Sequence, residues 1–399
     1  MTDTRIDDID ILISGGGLAG LIAACAFGAE GFSVLCVDPA PPVTEEDAAG
    51  ADLRSTAFLM PSVALFERIG LWESLAPHAT ALQVMRIVDA GGATATPRLT
   101  RDFDAAEIGD QPFGWNLPNW LMRRELMARI DALPSVRVIH GTGTATVLPR
   151  SEGAVVTLTD GRRLRARLLI GADGRDSTVR RALGIGTRTW RYGQKALAFA
   201  VTHVQPHHNV STEVHRSGGP FTLVPLPDRD GQPGSAVVWM DDAAAIDALA
   251  ALPAPAFDAA LNDRSAGVLG PLRPATALTT WPIISQIADR FAGPRTALIA
   301  EAAHVLPPIG AQGLNMSLAD LSALLDLSRA EPGSTDSLAR YNRTRRPDAY
   351  ARILAIDALN RASQAQMRPL RDLRAAALGG LYGIAPVRRM MMRAGLGLS

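Results

Sequence analysis

Three features of the 399-residue sequence predict an α/β fold. An apolar run at residues 9–13 stops at glycines, an Ala- and Leu-rich stretch follows, and a second apolar run at 33–37 ends in Asp38, which together read as a βαβ unit. Between Tyr192 and Trp281 the pattern changes to short apolar stretches broken by turns, and from Leu338 onward it is mostly helical. The expected architecture is a Rossmann-like domain, an inserted sheet-rich domain and a helical C-terminus.

The elements follow in order. Residues 18–29 form a helix that ends at Gly31, a residue free to take the left-handed conformation that closes helices. Residues 45–56 are small and polar and read as a loop, after which 61–69 resume helical spacing. A helix at 120–133 with Leu121, Leu126 and Ile130 on its apolar positions leads to a β-branched strand at 136–140. Residues 155–158, the pair Asp160-Gly161 and Leu164 signal a hairpin closed by a two-residue turn. Leu168-Leu169-Ile170 runs into Gly171-Ala172-Asp173-Gly174, residues 221–225 and 235–239 are strands of the inserted domain, 297–300 return to a buried strand, and 314–327 form a helix.

Composition narrows the class. Apolar residues make up 47% and charged residues 20%, with a formal net charge of zero, so the chain has a core to bury and no basic excess to hold nucleic acid. Cys25 and Cys36 lack the spacing of a disulfide framework or a zinc site, and no residue set suggests a metal. The first ten residues are acidic rather than signal-like, and no uncharged apolar run reaches the ~18 residues of a membrane span. A cytoplasmic protein, in peripheral contact with the inner membrane at most, is expected.

Three motifs carry chemistry. Gly15-x-Gly17-x-x-Gly20 lies between strand and helix: the first glycine makes the turn, the second admits a pyrophosphate, and the third lets helix and sheet pack. The helix start supplies free N–H groups for the anion, and Asp38 is placed to accept from adenosine ribose hydroxyls. The second motif, Gly171 to Arg180, taken alone is a strand followed by a helix capped by Asp176 or Ser177. The third runs from Ala300-Glu301 through His304 to the Pro307–Asn315 loop and opens another helix; His304 by itself reads as structural.

In this order the motifs resemble those of the group A FAD-dependent aromatic monooxygenases, the para-hydroxybenzoate hydroxylase fold, and most of all the ubiquinone-biosynthesis hydroxylases. Asp52-x-Arg54-x-x-Ala57, Gly70-Leu71-Trp72, Tyr192-Gly193-Gln194, Gly219-Pro220 with Leu223-x-Pro225-Leu226, and Tyr341 with Arg345 extend the resemblance over nearly the whole chain. It implies an FAD domain made of residues 1–75, 112–186 and 285–345, a substrate domain of 76–111 and 187–284, and a helical region at 346–399. It further implies that Gly15, Gly17, Leu18, Ala19, Gly20 and Asp38 hold the ADP half of FAD, with Arg54, Asn119 and Arg123 beside the cofactor. Asp173 would serve FAD and the NAD(P)H donor, Glu301 the ribityl or pyrophosphate, and Pro308, Gln312, Gly313, Leu314 and Asn315 the isoalloxazine ring. Two departures stand out: Ala300-Glu301 replaces the usual Gly-Asp, and Gly310-Ala311-Gln312-Gly313 replaces Ala-Gly-Gln-Gly.

The activity so implied is hydroxylation of an aromatic ring with NAD(P)H and O2 through a flavin C4a-hydroperoxide, in ubiquinone biosynthesis. No side chain is assigned as nucleophile or general base, since the protein's share is positioning, water exclusion and electrostatic support. The alternatives are an FAD monooxygenase of another small phenol and a non-catalytic FAD-holding subunit of a biosynthetic complex. Halogenation is disfavoured, because the only lysine, Lys195, lies beside Tyr192-Gly193-Gln194. Arg361, Arg368, Arg371, Arg374, Arg388, Arg389 and Arg393 against Asp372, interleaved with Met390-Met391-Met392, fit either a lipid or partner-subunit contact, or a helix packed on the FAD domain with a basic outer face.

Overall fold

The strand Asp7–Ser14 is buried on both faces from Ile11 to Ser14, as the centre of a helix-flanked parallel sheet requires. This computed structural model describes residues 7–92, 94, 96–364, 380 and 382–396. The central strand lies between Arg163–Gly171 and Val34–Asp38 in a sheet ordered Ala292–Gly293, Thr296–Leu298, Arg163–Gly171, Asp7–Ser14, Val34–Asp38, Val136–His140. Its inner pairings are parallel, with Ser14 opposite both Gly171 and Val37, and Gly171 opposite Leu298. Four strand ends therefore reach one edge together, and the three motifs leave the sheet there, at the carboxyl edge where open α/β sheets bind ligands. The helix Leu18–Ala29 is rich in small residues because it is buried from Ala19 to Gly28.

The inserted domain is a nine-stranded sheet, mostly antiparallel, spanned by the 17-residue strand Thr187–His203. One face packs Leu197, Phe199, Phe221 and Trp239 against Ile246, Phe257 and Leu261 of the helices Ala243–Ala250 and Ala254–Arg264, forming a core of its own. Ala196 and Met240, on the opposite face, join the main core. This face turns toward the parallel-sheet unit, so the inserted sheet forms a roof over it. A small sheet of Ser55–Leu59, Gly114–Pro118 and Thr80–Leu82 fills the seam between the two. The helix Thr335–Ser363 and the final helix Ala385–Leu396 complete the chain.

Several expectations need correction. Ser55 and Thr56 belong to a strand rather than to the preceding loop, because Gly114–Pro118, distant in sequence, pairs with them. The Asp160-Gly161 hairpin has a three-residue loop: Leu158 N donates to Arg162 O, and Gly161 takes φ +88°, the pattern of a bulged turn. The strand read at 297–300 ends at Leu298, since Ala300 has φ 54° and begins a 3₁₀ turn. The inserted domain contains two Ala-rich helices as well as strands. Its long strand starts at Thr187 and shifts register between Arg191 and Lys195, so Tyr192-Gly193-Gln194 is a bulge with Gly193 at φ +70°. In the basic C-terminal segment, Arg368, Arg371, Asp372 and Arg374 lie outside the described residues.

Candidate functional site

The glycine loop is shaped by close backbone approaches. A Cβ on Gly20 would stand 1.9 Å from the Gly15 carbonyl oxygen, and Gly15, at φ +108°, packs on the backbone of Ala172 and Asp173. Gly17 is different: a Cβ there would meet nothing within 4 Å, and no side chain caps the helix that begins at Leu18. The N–H groups of Leu18, Ala19 and Gly20 have no intrahelical acceptor at this position, so open space and uncapped donors coincide. That combination fits a pyrophosphate. Asp38 Oδ2 accepts from Gly16 N at 2.6 Å and Oδ1 from Ala40 N at 2.8 Å, which holds the carboxylate at the strand end with lone pairs to spare.

The second motif touches the first and third. Ala172 N donates to Ser14 O, joining the two strand ends. Asp173 accepts from Ser177 Oγ at 2.5 Å and from Val179 N at 3.0 Å, while Ser177 caps the helix Thr178–Ala182 by accepting from Arg180 N. The capped-helix reading of this segment therefore holds, with Ser177 as the cap, and the Asp173 carboxylate is engaged in it. Buried Arg180 donates to Ala302 O, and Arg175 lies 3.8 Å from Glu301, so the second and third motifs are bonded together.

Around Arg54 a charged cluster forms that the sequence only partly disclosed. Arg54 pairs bidentately with Asp52, Nε to Oδ1 and Nη2 to Oδ2, both at 2.7 Å, and its guanidinium lies over Trp281 at 5.3 Å. Asn119 Nδ2 donates to Asp52 Oδ2 at 3.0 Å, Thr56 Oγ1 donates to Asn119 Oδ1, and Arg123 approaches Asp52 at 3.7 Å. Burial works to raise the Asp52 pKa, but the hydrogen bonds and charge of Arg54, with Asn119 and Arg123, hold it below its ordinary value. Arg54 is raised, chiefly by its bond to Asp52, with burial opposing and the Asp52 and Glu301 charges adding. Arg54 and Glu301 remain exposed, leaving polar groups open toward a ligand.

Of the Pro308–Asn315 loop, the backbone rather than the side chains is free. Asn315 accepts from Leu59 N and Ser62 Oγ and donates to Ala57 O and Ala311 O, stapling the loop to the Ser55–Leu59 strand. Gln312 donates to Gly310 O and to Gly395 O of the last helix. The two side chains expected beside the ring are thus spent on protein, while Gly313 is exposed and Pro308 and Leu314 partly so. His304 has the structural role read for it: its Nε2 donates to fully buried Asp320 at 2.6 Å, and Arg345 Nε donates to the other Asp320 oxygen at 2.7 Å. Asp52 escaped the sequence reading as a site residue, although the Asp52-x-Arg54 spacing could have exposed it.

The comparisons with known proteins agree with this geometry. Residues 8–353 match the FAD binding domain family. The chain is similar to the ubiquinone hydroxylase UbiL of Rhodospirillum rubrum, 34% identical over 97% of this chain and 89% of that protein. It is also similar to the 3-demethoxyubiquinol 3-hydroxylase of Escherichia coli, 27% identical over 98% of both, and to the human ubiquinone biosynthesis monooxygenase COQ6, 26% identical over 96% and 91%. Among solved structures, the p-nitrophenol 4-monooxygenase PnpA of Pseudomonas putida has the same fold, with a TM-score of 0.79 and 20% identity over 98% of this chain and 99% of that one. The chain belongs to the FAD-binding domain family and is, within it, an FAD-dependent aromatic-ring monooxygenase.

Proposed function

We propose that this monooxygenase hydroxylates a prenylated phenol on the route to ubiquinone, and that the three motifs grip FAD jointly. The observation that carries the reading is the meeting of Gly15–Gly20, Asp173–Arg180 and Glu301–Asn315 at one sheet edge, in a chain alike end to end to named ubiquinone hydroxylases. The ADP half lies along Gly15, Gly17, Leu18, Ala19, Gly20 and Asp38. Arg54, Asn119 and Arg123 stand at the middle of the cofactor with Glu301, and the backbone of Pro308 and of Gln312 to Asn315 at the ring. Asp173 positions the cofactor through the backbone it fixes against Gly15. The separate cores of the parallel-sheet unit and the roof support dividing the chain into an FAD domain and a substrate domain, while Ile353 and Ile356 of the C-terminal helical region pack into the first of these cores.

The chemistry that FAD supplies when bound is transfer of reducing equivalents from NAD(P)H to O2 and of one oxygen atom to the aromatic ring. The chain's own part is to bind, orient and dry the site. The helix starting at Gln312 has no side-chain cap, and its N-terminal N–H groups would stabilise negative charge on a flavin held by this loop. On the roof, Ala198, Val224 and Val238 share the face of Ala196 and Met240, an apolar surface suited to a greasy substrate. Membrane proximity fits such a substrate, and contact with subunits of a quinone-biosynthesis complex remains part of the proposal. The test is NAD(P)H oxidation by the FAD-loaded protein with prenylated and unprenylated phenols, with product mass read in parallel. Faster turnover and a one-oxygen mass gain with the prenylated phenol are expected. Equal turnover of an unprenylated phenol favours the soluble-phenol alternative, and oxidation without product removes the hydroxylase assignment.

A further inference from the structure

Asn116 is 1% exposed, and its Nδ2 donates to Pro225 O of the roof strand at 2.8 Å, which fixes the amide's orientation. Its Oδ1 is buried and has no hydrogen-bond partner. An acceptor left in this state pays its desolvation with no bond in return, so it calls for a donor arriving from outside the chain.

The position of this atom is informative. On the strand Gly114–Pro118, Leu117 turns into the main core and Trp115 packs on Trp72, so alternation sends Asn116 to the opposite side, toward the roof. Its cross-strand neighbours are Ala57 and Thr80, and Ala57 O is the acceptor for Asn315 Nδ2 of the flavin loop. Asn116 thus sits where cofactor platform and substrate roof meet, beside apolar Ala57 and the roof strand that carries Val224. A lone acceptor in apolar surroundings is what orients an aromatic ring bearing one O–H donor.

We infer that Asn116 Oδ1 accepts the phenolic O–H of the substrate and so sets both its orientation and the enzyme's preference for free phenols over their ethers. This rests on the monooxygenase reading above and adds a specificity residue to it.

The test uses FAD-loaded protein and follows the flavin absorbance change on titration with 2-geranylphenol and with its methyl ether. Wild type is expected to bind the phenol roughly five- to tenfold more tightly than the ether, the worth of one neutral hydrogen bond. Asn116→Leu, which removes donor and acceptor at similar size, is expected to weaken the phenol alone and bring the ratio to about one. Asn116→Ala also removes the acceptor and is expected to bring the ratio to about one, so a Leu variant that fails to fold leaves the inference testable, whereas Asn116→Asp keeps an acceptor oxygen and is expected to retain the preference. Loss of affinity for both ligands alike in Asn116→Leu, an unchanged ratio, or equal binding of phenol and ether by wild type would each overturn it. Protein that takes up no FAD is a different failure and sinks the proposed function instead.

Discussion

Ala300 and Ala311, with φ of 54° and 56°, occupy the left-handed region at either end of the loop assigned to the flavin ring. The family pattern that the sequence resembles has glycine at both positions, which a left-handed backbone favours, and here alanine takes up the same conformation. A side chain there costs roughly 1–2 kcal/mol, against the 0.5–1 kcal/mol that glycine loses in chain entropy. Ala311→Gly is therefore expected to stabilise the protein by about 0.5–1 kcal/mol, read as a higher Tm in thermal melts; a lower Tm would contradict the strain. Asp52 makes a second residue-scale prediction. Against the effect of burial, the Arg54 guanidinium holds its folded-state pKa below the ordinary carboxylate value, so its contribution is complete above that ordinary value and is lost as the pH falls through the lowered one. FAD affinity is expected to hold through the neutral and mildly acidic range and to fall only below the ordinary carboxylate range, while Asp52→Ala weakens it roughly tenfold at neutral pH by unpairing Arg54. A decline already present near pH 6 would point to another group.

At the scale of elements, the glycine-loop helix depends on how closely it approaches the strand before it. Gly20→Ala would force a methyl against the Gly15 carbonyl, where only backbone movement makes room, and is expected to cost roughly 3 kcal/mol and most of the FAD affinity. Near-normal FAD binding by this variant would show that the loop yields more than its contacts allow. The βαβ unit was legible from sequence because its constraints are local: apolar runs, glycine spacing and one acid within about thirty residues. The roof was legible in class and not in order. Val210–His215 pairs in parallel with Val84–Asp89, and Ser55–Leu59 pairs with Gly114–Pro118, and no local pattern announces partners so far apart. The same reason hid the bond of Asn116 to Pro225 on the roof and the four hydrogen bonds that Asn315 makes to the protein.

Across the whole molecule, exposed apolar side chains are unevenly placed. Among the described residues nine large hydrophobics are exposed; four of them, Leu354, Leu359, Met390 and Met391, lie in the C-terminal helices, and a fifth, Ile384, directly precedes the last one. Arg361 and Arg389 are exposed beside them, and no described helix is long and apolar enough to cross a membrane. Part of the basic segment is committed to the protein: Arg388 pairs with Glu107 at 2.6 Å, and Tyr382 donates to Asp102 O. The outer face that remains suits the surface of an anionic bilayer. Replacing Met390 and Met391 with asparagine is expected to reduce cosedimentation with anionic vesicles about tenfold without loss of FAD, and equal binding would reject the lipid contact.

The expectations about the cofactor depend on one ligand being held by three segments that meet only in the folded chain. Fluorescence titration of flavin-free protein with FAD measures this most directly. The account predicts saturation at about one FAD per chain, with affinity reduced by Gly20→Ala and by Asp52→Ala alike. Folded protein that leaves added FAD free in solution would contradict it.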